Sequence, residues 1–145
     1  MNVDMLRAVQ KAILAHPSDF WMGRWTCGRE QLPVPWASEC GTVACIAGWA
    51  VKERYGDEMV RILDYGKGHP DTAVTGYIGM HPIGPIAADV LDLTPPQAER
   101  LFMDGRWPDN LHTAYAMATR LSAPHIAAYI AAARIDLFIA SNGEE

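Results

Sequence analysis

The chain has 145 residues, of which 50% are hydrophobic and 20% are charged, as is typical of one globular domain. Its 12 Lys and Arg residues against 17 Asp and Glu residues give a net charge of −5, spread along the sequence. This charge argues against nonspecific binding to nucleic acid or to anionic membranes.

Targeting and membrane signals are absent from the sequence. No segment approaches the roughly 20 apolar residues of a membrane span, and the N-terminus lacks the basic and apolar segments of a signal peptide. Three cysteines, an odd number, argue against a secreted disulfide framework. We therefore expect one cytoplasmic helical domain over residues 1–145, without a cofactor or a membrane partner.

Two helices are predicted in the first half of the chain. Residues 3–15 place apolar side chains at helical spacing, with Asn2 or Asp4 as the N-cap and Pro17 as the stop signal. After an irregular, aromatic-rich segment comes a stretch that is apolar on nearly every side. Such a pattern is typical of a helix buried on most faces, so we predict a central helix at about residues 42–55.

A long loop and two further helices follow. Residues 65–85 are rich in Gly and Pro and predict a loop, in which residues 72–78 have some β-branched character. The apolar spacing then predicts a helix over residues 85–92. Thr94 and Gln97 form a capping-box pattern that starts the next helix.

The last two predicted helices complete an all-α fold. The first begins with Asp109 or Asn110 as its cap. Its apolar stripe consists of Leu111, Ala114, Tyr115, Ala118 and Leu121. The final helix runs from Pro124 to about Ala140. We assign its buried face to Ile126, Ile130, Ala133 and Leu137. The prediction is a compact domain of five or six helices around the central one.

Cys40 is the first residue with potential for catalysis. It opens the predicted central helix, where the positive end of the helix dipole favours a thiolate. Such a nucleophile also needs a base, and all five histidines are distant in sequence. His112 is the first choice because it lies near a helix start. The alternative, which we favour, is that Cys40 is a small buried residue and Thr42 caps the helix, with no catalytic residue present.

A metal site is not expected. Cys27, Cys40 and Cys45 lack the paired spacing that structural zinc sites use. The familiar nucleotide-binding, zinc-protease and serine-hydrolase motifs are also absent from the sequence.

The helices around Asp92 resemble a helix-turn-helix, because the second one starts with a capped turn. Its first turns offer Arg100 balanced by Glu99 in an acidic chain, so the attraction for phosphate is missing. Nucleic acid is therefore an unlikely partner, and a helical corner is the favoured interpretation. A DNA-binding regulator that uses residues 94–102 remains an alternative.

Several of the five tryptophans lie in or beside irregular segments. They either close the open side of a small helical core or stand exposed as anchors of a partner interface, where tryptophan is enriched. Arg24 beside Trp25, and Arg106 beside Trp107, make these four residues the candidates for partner binding.

The sequence also resembles a group of small phage, prophage and bacterial proteins with a C-G-T-x-x-C-x-A-G signature. The matching residues are Cys40-Gly41-Thr42-x-x-Cys45-x-Ala47-Gly48, followed by Leu91-x-Leu93-Thr94-x-x-Gln97-Ala98-x-x-Leu101-Phe102, Trp107-Pro108 and Arg134-Ile135. This resemblance covers most of the chain and implies a mobile-element context.

The functional hypothesis joins this context to the absence of catalytic motifs. We expect a small non-enzymatic phage or mobile-element protein that binds and inhibits a host protein in the bacterial cytoplasm. An anti-defence inhibitor of the anti-CRISPR type is its most concrete version. The alternatives are a cysteine-dependent enzyme centred on Cys40 and a helix-turn-helix regulator, and the sequence leaves the oligomeric state open.

Overall fold

A computed structural model describes residues 1–22, 26–28, 42–56 and 83–145. Within these residues the helices are α1 (Val3–Ala15), α2 (Ile46–Tyr55), α3 (Ile83–Val90), α4 (Pro95–Phe102), α5 (Asp109–Arg120) and α6 (Pro124–Ala140). The two strands are β1 (Thr26–Gly28) and β2 (Thr42–Ala44). The predicted all-α fold is confirmed. The predicted Gly- and Pro-rich loop falls almost entirely outside the described residues.

Helix ends that carry strong capping signals lie where the sequence places them. The Asn2 side chain accepts a hydrogen bond from the main-chain N–H of Met5 at 3.0 Å, and α1 ends before His16. At the start of α4 the Gln97 side-chain oxygen accepts from the N–H of Thr94, also at 3.0 Å. These bonds satisfy main-chain donors that the first turn leaves without helical partners. At α5, by contrast, Pro108 occupies the N-cap position, so the predicted Asp109 or Asn110 cap is wrong.

The central helix is shorter than predicted. It begins at Ile46, because residues 42–44 form β2, which pairs antiparallel with β1 in the register Thr26↔Ala44. A short apolar run does not distinguish a buried strand from a buried helix, and the β-branched Thr42 and Val43 favour the strand. All six residues from Ile46 to Val51 are buried, and α2 packs against α1 and α3.

Helix α6 lies against α1 and α5, and it turns the opposite face from the predicted one toward them. Its buried residues are Ala127, Ala128, Ala131, Ala132, Arg134, Ile135 and Phe138. The predicted stripe is therefore wrong: Ile126, Ala133 and Leu137 are exposed, and Ile130 is half-buried. Because α6 is apolar on both sides, spacing alone supports either face. The alanine side is the buried one, because small side chains let two helices approach closely.

Candidate functional site

Cys45, and not Cys40, stands at the N-terminus of the central helix. It occupies the N-cap position of α2, so the argument that a helix dipole activates Cys40 is wrong. Burial raises the pKa of the Cys45 thiol to about 11, although main-chain hydrogen bonds at Gly48 and Ala47 act in the opposite direction. This thiol is protonated and shielded at neutral pH. Cys40 itself, the alternative nucleophile, lies outside the described residues.

His112, the alternative base, makes a structural contact. It lies in the second turn of α5 and is half-buried, with its Nδ1 at 2.9 Å from the main-chain oxygen of Asp104. A carbonyl oxygen can only accept, so Nδ1 carries the proton of this hydrogen bond. The contact fixes the ring against the turn that precedes α5. A role as base for Cys40 stays a prediction.

Trp107 belongs to the core. Its side chain is 4% exposed, and its indole N–H donates to the main-chain oxygen of Leu101 at 3.0 Å. The ring packs edge-on against Tyr115, with centroids 5.5 Å apart, and Tyr115 meets Phe20 in the same way at 6.2 Å. Exposure of Trp107 as an interface anchor is therefore not what the structure shows. Trp107 instead closes the helical core, which is the other interpretation that the sequence allows.

Tyr115 holds the centre of this aromatic cluster. Its hydroxyl accepts a hydrogen bond from the main-chain N–H of Met22 at 2.7 Å. Burial raises the pKa of the Tyr115 hydroxyl to about 12, so the group stays neutral and structural. The cluster thus ties α5 to the segment after α1, and its polar atoms are used within the protein.

Arg106 is exposed, as an interface residue must be. Its Nη2 lies 3.0 Å from the Glu99 carboxylate, and the two side chains line an open depression together with Pro96, Arg100 and Glu145. An exposed ion pair of this kind contributes at most about 1 kcal/mol. Both positive and negative side chains line this depression. Arg24 and Trp25, the other candidates for partner binding, lie outside the described residues.

The charged residues of α4 are engaged with their own chain. Arg100 is half-buried and donates to the main-chain oxygen of Gly143 at 3.0 Å, and Glu99 pairs with Arg106. A recognition helix needs side chains that are free to reach bases and phosphates. This arrangement favours the helical-corner interpretation of α3 and α4 over the DNA-binding alternative.

Arg134 is a buried cation that the sequence did not single out. Its Nη2 donates to the main-chain oxygens of Arg100, at 3.3 Å, and Glu145, and its guanidinium lies over the Phe138 ring. Burial lowers the pKa of this guanidinium. Its Nε and Nη1 have no hydrogen-bond partner within the described part of the chain. Arg134 thereby fastens the segment after α6 to α4, which is a structural role.

Among the described residues, α5 and α6 expose a set of large apolar side chains. We define the outer face as the exposed side chains Met117, Leu121, Ile126, Tyr129 and Leu137. Leu121 is 72% exposed and Tyr129 is 70% exposed. Together these side chains form a mainly apolar surface, and large exposed apolar patches on monomers are often functional.

Two observations make the outer face continuous between α5 and α6. Asn110 and Leu137 line the same open depression, which places the Asn110 row of α5 beside α6. Met117 and Leu121 follow Asn110 by seven and eleven residues, so they continue that row along the helix. The row therefore runs beside α6 toward the turn that joins the two helices.

Helix α1 borders the other side of α6. Arg7 forms an ion pair with Asp136, and the Gln10 side chain donates to the main-chain oxygen of Ala132 at 2.9 Å. Residue numbers rise on α1 as they fall on α6, so the two helices are antiparallel. This register puts Leu14, itself exposed, level with Tyr129. Leu14 therefore borders the outer face on the side of α1.

Residues 1–22, 26–28, 42–56 and 83–145 contain neither a cluster of metal-ligating side chains nor a membrane-spanning helix. No group of three or more His, Cys, Asp or Glu side chains within them is placed to hold a metal ion. None of their helices is long and apolar enough to cross a membrane.

Comparison with known proteins gives no relative. No protein-family model, curated protein or solved structure matches the chain.

Proposed function

We propose that the protein works by binding another protein through the outer face of α5 and α6. The single observation that carries this proposal is the row of large apolar side chains left in water on two packed helices. Folding does not need them there, because α6 already buries its alanine side. Covering such a surface is favourable by roughly 25 cal/mol per Å² before the costs of association.

The chemistry of the outer face suits a protein partner. Tyrosine is among the residues that dominate interface energetics, since it brings a large ring with few rotatable bonds. Tyr129 and Leu121 are the most exposed of the set and lie on either side of the turn between the helices. We expect these two side chains to contribute most of the binding energy.

The biological setting belongs to the same proposal. The resemblance to phage and prophage proteins supports a mobile-element accessory protein that inhibits a host protein in the bacterial cytoplasm. An anti-defence inhibitor of the anti-CRISPR type is the most concrete form.

Affinity purification from a lysate of the bacterial host tests the proposal. The informative variant is Tyr129→Asp, and Tyr55→Asp is its matched control, since Tyr55 is an exposed tyrosine on α2. Circular dichroism melts first establish that both variants fold. We expect one stoichiometric protein to be retained by the wild type and by the Tyr55 variant, and to be lost from the Tyr129 variant.

Two results would overturn the proposal. One is equal retention of the same protein by all three baits, which would move binding away from the outer face. The other is retention of duplex DNA, or turnover of a small molecule that Cys40→Ala abolishes, without any protein partner.

A further inference from the structure

Charges are distributed unevenly along the surface that contains the outer face. Arg120 is exposed at the end of α5, beside the turn to α6, and Lys11 is exposed on α1, level with Ala132 in the middle of α6. Neither pairs with a carboxylate in the described part of the chain. The exposed carboxylates of these helices lie further from the turn: Asp4 and Asp109 at the far ends of their helices, and Asp136 one turn beyond the level of Lys11, where it pairs with Arg7. The apolar residues with the greatest exposure therefore have a basic rim in a chain of net charge −5.

The positions of these residues follow from the helix registers. Lys11 is one turn before Leu14 on α1, and Leu14 is level with Tyr129 by the antiparallel pairing of α1 and α6. Arg120 is the residue before Leu121 at the end of α5. His125, also exposed, begins the first turn of α6. Two unpaired cations, Arg120 on α5 and Lys11 on α1, thus flank the most exposed apolar side chains, Leu121 and Tyr129.

We infer that the segment of the partner that covers the outer face is acidic and amphipathic, with its apolar side chains at helical spacing. This inference rests on the proposed function and adds the chemistry of the partner. The apolar side chains of such a helix would lie against Leu121, Ile126 and Tyr129. Its carboxylates would approach Lys11 and Arg120, which steers encounter and sets orientation.

Two other occupants fit this surface less well. In a symmetric dimer centred on the turn, Arg120 would approach its own copy, and the like charges would oppose the contact. An anionic membrane is usually held by clusters of four to eight basic residues. Here two cations stand on a chain of net charge −5, so a protein segment is favoured.

Selection from a displayed random peptide library tests the inference. Peptides of about 16 residues span four helical turns, enough to cover the outer face. The library is selected on the wild type, on Tyr129→Asp and on the Tyr55→Asp control. We expect the peptides that only the Tyr129 variant fails to retain to carry net negative charge and apolar residues at spacings of three and four.

A second measurement isolates the basic rim. The most enriched peptide is titrated against the wild type and against the double variant Lys11→Glu, Arg120→Glu by fluorescence anisotropy. We expect the double variant to bind on the order of tenfold more weakly at low salt, with the difference shrinking as salt rises. The exposed Arg54→Glu on α2 gives a charge-reversal control away from the outer face that should leave the affinity unchanged.

The outcomes separate this inference from the proposed function. Neutral or basic peptides that depend on Tyr129 would overturn the acidic partner and leave the binding face intact. A library without any Tyr129-dependent peptide would overturn the inference, while the lysate experiment judges the proposed function. Tyr129-dependent retention on phosphatidylglycerol vesicles, or a dimer in sedimentation that Tyr129→Asp dissociates, would identify a different occupant and also overturn it.

Discussion

Helices α1 and α6 pack against each other, yet they present opposite kinds of outer surface. The outward side of α1 is mainly polar, with Asp4, Arg7 and Lys11, and its large exposed apolar residues, Val3 and Leu14, stand near its two ends. The outward side of α6 carries Ile126, Tyr129 and Leu137. A polar exterior is therefore compatible with this packing, and the apolar exterior of α6 needs a reason other than folding.

The largest expected effect on stability comes from truncating an isoleucine on the buried face of α6, compared with an isoleucine on its exposed face. Ile135 is fully buried, whereas Ile126 is 54% exposed. We expect Ile135→Ala to lower the free energy of unfolding by about 2 to 5 kcal/mol, because it opens a cavity between helices. Ile126→Ala should change it by less than about 1 kcal/mol. Urea denaturation measures both, and equal losses would contradict the assignment of faces.

The next largest effect concerns the buried thiol of Cys45, which the native protein shields from reagents. With its pKa raised from 9.0 to about 11, the thiolate fraction at neutral pH falls about 100-fold, and burial blocks access as well. We expect iodoacetamide to modify Cys45 at least about 100-fold more slowly in the native protein than in urea. Mass spectrometry of the labelled peptide gives the rate. Rapid native labelling would show that the start of α2 is open.

Two alanines of α6 test the close approach of the helices. Ala131 is fully buried, and Ala133 is exposed two residues later. Ala131→Leu should destabilise the protein by about 1 to 3 kcal/mol through overpacking. Ala133→Leu should fall within about 0.5 kcal/mol of the wild type, since its side chain points into water. Thermal melts of the pair are sufficient, and a tolerated Ala131→Leu would mean that the interface is loosely packed.

The ion pair between Arg7 and Asp136 has the smallest expected effect. The hydrogen bond from Arg7 holds the pKa of the Asp136 carboxyl below its ordinary value of 3.8. Its stabilising contribution is therefore present above pH 3.8 and is lost as the pH falls through the lower, folded-state value. Because both side chains are about half exposed, we expect less than about 1 kcal/mol.

Comparison of the wild type with Arg7→Ala measures this contribution. The difference in unfolding free energy should be constant near neutral pH and shrink below about pH 4. A difference that grows on acidification would contradict the assignment of the carboxyl shift to Arg7.

Capping residues and prolines predicted the helix ends correctly at several positions. Asn2, Pro17, Thr94 and Gln97 set helix ends through hydrogen bonds and fixed backbone angles, and the structure has those ends. The start of α2 was missed, because the pairing of β2 with β1 is a contact distant in sequence. Apolar periodicity alone could not show whether residues 42–44 form a strand or the first turn of the helix.

The candidate site was harder to predict than the fold. Trp107 was chosen for its residue type and for its position beside Arg106, but neither feature tells whether a ring lies inside or outside. The signal that could have found the outer face was the second apolar stripe of α6. The sequence assigned that stripe to the core, because only the packing of α1 and α5 shows that the alanine side is already covered.

Footprinting of the recovered partner complex tests the central claim most directly. Hydroxyl radicals oxidise exposed tyrosines, and Tyr129 and Tyr55 are 70% and 49% exposed in the free protein. When the partner is bound, we predict that the oxidation of Tyr129 falls several-fold while that of Tyr55 is unchanged. Unchanged oxidation of Tyr129 in a saturated complex would contradict the claim that the outer face of α5 and α6 is the binding surface.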